Sequence, residues 1–150
     1  MNVIQKVAGI VIEGYKIASG LAERNPFGGS TIQMQVPLFL ERGLDLSHCY
    51  PGTLNISIAP RTWRILATDP NYRGLKWHPG HSAEDFFIRT CRLCFSGICY
   101  DGWVYCPDPK KKLLHQHKPD TLEILAPPIS GITYGDSVVL MLDPDEIRVE

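Results

Sequence analysis

The chain has 150 residues, 44% of them hydrophobic and 21% charged, which suits one globular domain over residues 1–150 and excludes a disordered or fibrous chain. Fifteen basic against sixteen acidic residues leave a net charge of -1, so no large basic face for nucleic acid or an anionic membrane is expected, and a small molecule is the expected partner. No apolar run approaches the ~20 residues of a membrane-crossing helix, and residues 1–14 mix Gln5, Lys6 and Glu13 into an apolar stretch unlike an export signal, so a cytoplasmic protein is expected.

Thirteen glycines and twelve prolines cut the chain into short segments, a pattern that favours strands. Residues 7–19 read as a first strand with bends at Gly9 and Gly14, followed by a polar, glycine-containing loop over 20–30. A short helix is predicted over 37–43, because Pro37 suits a first helical turn and Gly43 a helix stop. Leu54, Ile56 and Ile58 alternate with Asn55, Ser57 and Ala59, the period of a half-buried strand. A further strand over 63–67 leads into a long irregular connection over 68–83. Residues 86–94 and 103–106 form a predicted hairpin with its turn around Tyr100-Asp101-Gly102. After a hydrophilic loop with Lys110, Lys111 and Lys112, the last strands are predicted over 121–126 and 137–142. One antiparallel-leaning barrel with a single short helix accommodates these elements, since closure leaves few strand edges exposed.

The most informative segment is Tyr50-Pro51-Gly52-Thr53-Leu54-Asn55, where a tight Pro-Gly turn enters a strand. Thr53 and Asn55 are two residues apart and so project from one face, opposite Leu54 and Ile56. A hydroxyl and an amide carbonyl at this spacing suit a hard cation such as Mg2+; they equally suit the hydrogen bonds of a turn and a strand edge. The cysteines are Cys49, Cys91, Cys94, Cys99 and Cys106, and the last four contain a C-x-x-C with enough thiolates for zinc. Positions three apart on a strand face opposite sides, however, so buried and reduced thiols are expected instead. His78 and His81 read as residues of a solvated loop, and His115 and His117 lie beside the lysine run.

The hexapeptide resembles the PYxGTLN signature of the archaeal-type CTP-dependent riboflavin kinases, without its opening proline. Ala18-Ser19-Gly20-Leu21-Ala22-Glu23 is similar to that family's V-x-S-G-x-G loop, and Tyr100-Asp101-Gly102 with the strand ending at Pro107 is similar to its hairpin. His117 lies close to where the family has a Thr-x-His-type segment, and Leu122-Glu123-Ile124-Leu125-Ala126-Pro127 followed by Gly135-Asp136 is similar to its C-terminus. These matches keep their order over nearly the whole chain.

The resemblance implies a mainly β fold, a compact six-stranded cradle-loop-type barrel with one short helix. It implies phosphoryl transfer from CTP, or another nucleoside triphosphate, to the ribityl 5′-hydroxyl of riboflavin, giving FMN. Under it Thr53 and Asn55 hold Mg2+, Ser19, Gly20, Leu21, Ala22 and Glu23 face the nucleotide, and His117 and Glu123 contact the flavin. No catalytic side chain is assigned, as such a reaction rests on positioning and charge neutralisation. Ala22 stands where the family has glycine, residues 25–30 read as an insertion, and the segment after Pro127 is short. These departures leave a second expectation, a non-catalytic barrel that binds a flavin, nucleotide or sugar.

Overall fold

The structure, a computed structural model, describes residues 3–13, 31–80, 82–108 and 119–150. Alternation of side chains sets its architecture. In the first strand, β1 (Gln5–Ile12), Val7, Gly9 and Val11 are buried while Lys6, Ala8 and Ile10 face outward. Helix α1 (Thr31–Glu41) follows, then β2 (Leu54–Ser57), β3 (Trp63–Ile65), β4 (Tyr72–Leu75), β5 (Glu84–Phe95), β6 (Ile98–Pro107), β7 (Thr121–Leu125), β8 (Ser137–Leu142) and β9 (Ile147–Val149).

Seven strands form one sheet in the order β4-β5-β6-β7-β2-β1-β8, and β3 and β9 form a separate antiparallel ribbon. The edge of β5 opposite β6 is divided between two partners. Its first half pairs with β4 at Tyr72↔Phe86 and Leu75↔Glu84, and its second half meets β8 at Arg92↔Met141, Leu93↔Leu140 and Cys94↔Val139. The mainly β composition and the presence of a helix agree with expectation, but the compact six-stranded cradle-loop-type barrel is overturned. Nine strands stand among the described residues, two lie outside the main sheet, and the sheet's order ends on β4, which pairs with β5 alone.

Two apolar clusters occupy opposite faces of the sheet. Val104, Leu122 and Ile124 belong to one, together with Val7, Leu93 and Leu140. Their sequence neighbours Tyr105 and Leu125 belong to the other, which α1 covers with Ile32 and Phe39. Phe39 meets Phe86 and Tyr72 edge-on, with ring centroids 5.4 and 5.3 Å apart. Burying a side chain of this size is worth roughly 1.5–3 kcal/mol, so the helix is held by packing more than by propensity.

Several boundaries differ from expectation. The helix begins at Thr31 and carries Pro37 within it, because Ile32, Gln35 and Phe39 make one buried stripe at spacings of three and four. The stop at Gly43 holds: its φ is 91°, and Leu44 N–H donates to Phe39 O at 2.9 Å while Gly43 N–H donates to Leu40 O at 3.0 Å. The hairpin turn is at Ser96-Gly97, with φ of 52° and 82°, rather than at Asp101-Gly102, which lie inside β6. Strand β4 runs through the expected irregular connection. It follows Asn71, whose side chain donates to Ile88 O and accepts from Ile88 N–H, both at 2.9 Å, as a strand backbone would. Gly9 is not a bend; a Cβ there would collide with Ile56 Cγ2 and lie 3.2 Å from Ser57 O. The expected strand over 14–19, including Gly14, and the loop over 20–30 fall outside the described residues.

Candidate functional site

The Pro-Gly turn is tied to the end of β7: Tyr50 N–H donates to Ala126 O at 2.9 Å and Gly52 N–H to Tyr50 O at 2.8 Å. From there β2 pairs with β7 at Leu54↔Ile124 and Asn55↔Glu123, and with β1 at Ile12↔Asn55. On the other side of β7, β6 pairs at Val104↔Ile124 and Trp103↔Leu125. Because Leu54, Ile124 and Val104 turn to one face, Asn55, Glu123 and Tyr105 share the opposite one. This is the face that α1 covers at its β5–β6 end.

Thr53, two residues before Asn55, joins the same face. Its Oγ1 donates to Glu123 Oε1 at 2.9 Å, across a sequence separation of 70. Thr53, Asn55 and Glu123 are all half-buried, so the group is desolvated enough to be specific yet open to a small molecule. A hydrogen bond to a carboxylate is the stronger kind, and it fixes the orientation of Glu123.

One row further under the helix, Tyr105 Oη donates to Gln35 Oε1 at 2.9 Å. Burial pushes the Tyr105 hydroxyl well above its ordinary pKa, and the Glu123 and Glu84 carboxylates nearby push it further, so it stays protonated and donates. Glu84 is itself buried and its Oε1 accepts from Trp77 Nε1 at 3.1 Å. Gln35 and Tyr105 are not among the residues the sequence pointed to. Their signal is a polar residue on the apolar stripe of a helix and a tyrosine in the strand beside Glu123.

Three of the expected site residues, Thr53, Asn55 and Glu123, are thus brought together by the fold. Ser19, Gly20, Leu21, Ala22, Glu23 and His117 lie outside the described residues, as do His81, His115 and the lysine run at 110–112. The expected Mg2+ centre at Thr53 and Asn55 is corrected. Among the described residues there is no group of three or more His, Cys, Asp or Glu side chains that could hold a metal. The donors present are a hydroxyl, an amide and one carboxylate, with the hydroxyl directed at the carboxylate, a set that fits an alcohol better than a cation.

The cysteines also depart in part from expectation. Cys91 and Cys94 turn to opposite faces as predicted, but Cys94 is joined to Cys99 directly across the hairpin, so these two are not reduced thiols. Cys49, Cys91 and Cys106 are not disulfide-bonded. Burial pushes the Cys91 thiol up to about 12 and that of Cys49 up to about 11. Such thiols are inert near neutral pH.

Comparison with protein-family models and with characterised proteins finds no match for this chain.

Proposed function

We propose that the chain binds riboflavin, or a similarly hydroxylated small molecule, at Thr53, Asn55 and Glu123, and phosphorylates it from a nucleoside triphosphate. The observation that carries this reading is the 2.9 Å hydrogen bond from Thr53 to Glu123, in a group that Asn55 completes by pairing with Glu123. A substrate hydroxyl is both donor and acceptor. It donates to the Glu123 carboxylate and accepts from the Asn55 amide, while the Thr53 hydroxyl, whose one proton goes to Glu123, holds that carboxylate in place, so the group is its complement. A carboxylate at hydrogen-bonding distance also serves as the base that takes the alcohol proton while the alcohol oxygen bonds to the terminal phosphorus and the bond from that phosphorus to the bridging oxygen breaks, the nucleoside diphosphate leaving with that oxygen. Residues 19–23 are assigned to the nucleotide by their resemblance to the phosphate-facing loop of the riboflavin kinases.

The test is incubation of the protein with riboflavin and each of the four common nucleoside triphosphates as magnesium salts, followed by chromatographic detection of FMN. Formation of FMN with at least one is expected. Binding without transfer is the second reading, favoured by Ala22 in place of a glycine of the riboflavin kinases' loop motif, since alanine lacks the backbone freedom of glycine. Quenching of riboflavin fluorescence without FMN would select it, and neither quenching nor FMN would refute both.

A further inference from the structure

The buried face of α1 holds a polar group that neither the packing nor the proposed reaction uses. Gln35 is 1% exposed, and its Oε1 is occupied by the Tyr105 hydroxyl at 2.9 Å. Its Nε2, which carries two N–H donors, is buried with no hydrogen-bond partner. A buried donor left unpaired is costly and uncommon in a native fold, where most such groups find protein, water or ligand. A residue of the same size and no polarity would fill the helix stripe beside Ile32 and Phe39 without that penalty.

The position of this amide relates it to the candidate site. Tyr105 lies on β6 next to Val104, which pairs with Ile124, and Glu123 lies next to Ile124 on the neighbouring strand. Tyr105 and Glu123 therefore project from adjacent strands toward the same side, and the tyrosine hydroxyl lies within the field of the Glu123 carboxylate. The surroundings change along this row. Thr53, Asn55 and Glu123 are half-buried and polar, whereas Gln35 and Tyr105 sit among Phe39, Phe86 and Leu125.

We infer that the Gln35 amide, held in place by Tyr105, is a second recognition point of this site, donating to a carbonyl oxygen or ring nitrogen on a planar heterocyclic part of the ligand. This rests on the small-molecule reading of Thr53, Asn55 and Glu123. The hydroxylated part of the ligand lies at those three residues, and the flat, largely apolar part enters beneath the helix, where a donor without an acceptor selects a heterocycle carrying one. Saturated sugars and polyols satisfy only the polar end. Ligand pockets of this kind, apolar with a few placed polar groups, get their specificity from such donors.

Three probes separate the two parts: riboflavin, lumichrome as the ring system without its hydroxylated chain, and ribitol as the chain without the ring. The double variant Gln35→Leu/Tyr105→Phe removes the donor and its holder together and leaves no orphaned partner. It is expected to bind riboflavin and lumichrome about tenfold more weakly than the unmodified protein, the loss of one hydrogen bond, with ribitol binding unchanged. In the unmodified protein, the side-chain amide resonances of Gln35 are expected to move on addition of lumichrome and to stay in place with ribitol, a measurement that does not depend on the variant folding. Equal binding of riboflavin by both proteins, or Gln35 resonances indifferent to lumichrome, overturns the inference while the site at Thr53, Asn55 and Glu123 stands. Failure of the unmodified protein to bind any of the three probes overturns that site and this inference with it.

Discussion

The hydrogen bond between Thr53 and Glu123 offers the sharpest test of the site's geometry. Thr53→Val keeps the β-branched shape and removes only the hydroxyl, and Glu123→Gln keeps the shape and removes the charge. A hydrogen bond to a charged partner contributes about 1.5–3 kcal/mol when buried. Both residues here are half-buried, so water screens and competes, and a coupling of about 1 kcal/mol is expected. Urea denaturation of the parent, the two single variants and the double variant gives this coupling directly, provided the slopes agree. The Thr53→Val variant alone is expected to melt about 2–4 °C lower, the shift that 1 kcal/mol produces in a chain of this size. If the two substitutions are additive within about 0.3 kcal/mol, the side chains do not interact and the site as built here is wrong.

Other consequences follow from the strands that carry the site. A Cβ at Gly102 would run into the Leu125 carbonyl, so Gly102→Ala is expected to push β7 from β6, lower stability by about 1–3 kcal/mol, and weaken riboflavin binding by displacing Glu123; unchanged stability and binding would show that the strands have room. Thiol titration in denaturant is expected to find three reactive cysteines, Cys49, Cys91 and Cys106, and all five after reduction, whereas five before reduction would remove the Cys94–Cys99 bond. The Cys91 thiol rises from 9.0 to about 12 on folding, so its neutral form is favoured in the native state. That contribution is complete below pH 9 and is lost as the pH climbs through 9 toward 12, by at most roughly 4 kcal/mol. Urea midpoints of the parent should therefore fall faster between pH 8 and 11 than those of Cys91→Ala, and parallel curves would contradict the burial assigned to this thiol.

What the sequence disclosed and what it hid divide along physical lines. Period-two alternation located β2, and the Gly135-Asp136 pair before an apolar run located β8, because both signals are local. Pairing partners are set by contacts distant in sequence, and so the division of one β5 edge between β4 and β8 could not be read from any window. The Asp-Gly pair at 101–102 imitates a hairpin signal, yet the chain turns earlier at Ser96-Gly97, and Gly102 is used for close approach to Leu125. Thr53, Asn55 and Glu123 were each marked by a short motif, whereas the hydrogen bond between two of them depends on the β2–β7 register. Gln35 and Tyr105 carry no motif; only the helix seated on the sheet makes a glutamine at that position unusual.

That register is also what gives the polar row its definition. Leu122 and Ile124 are wholly buried on the face opposite Glu123, and Ile56 is wholly buried on the face opposite Asn55. Sliding β7 by one residue would turn Leu122 and Ile124 outward and drive Glu123 into the apolar cluster. The two aliphatic side chains alone would forfeit on the order of 3–6 kcal/mol, before any cost of burying a carboxylate. This exceeds the roughly 1 kcal/mol available from the Thr53–Glu123 hydrogen bond. The apolar face therefore sets the register and the polar face inherits it, so the three groups are already assembled before any ligand arrives. Preorganisation of this kind is what a binding site gains by standing on paired strands instead of on a loop.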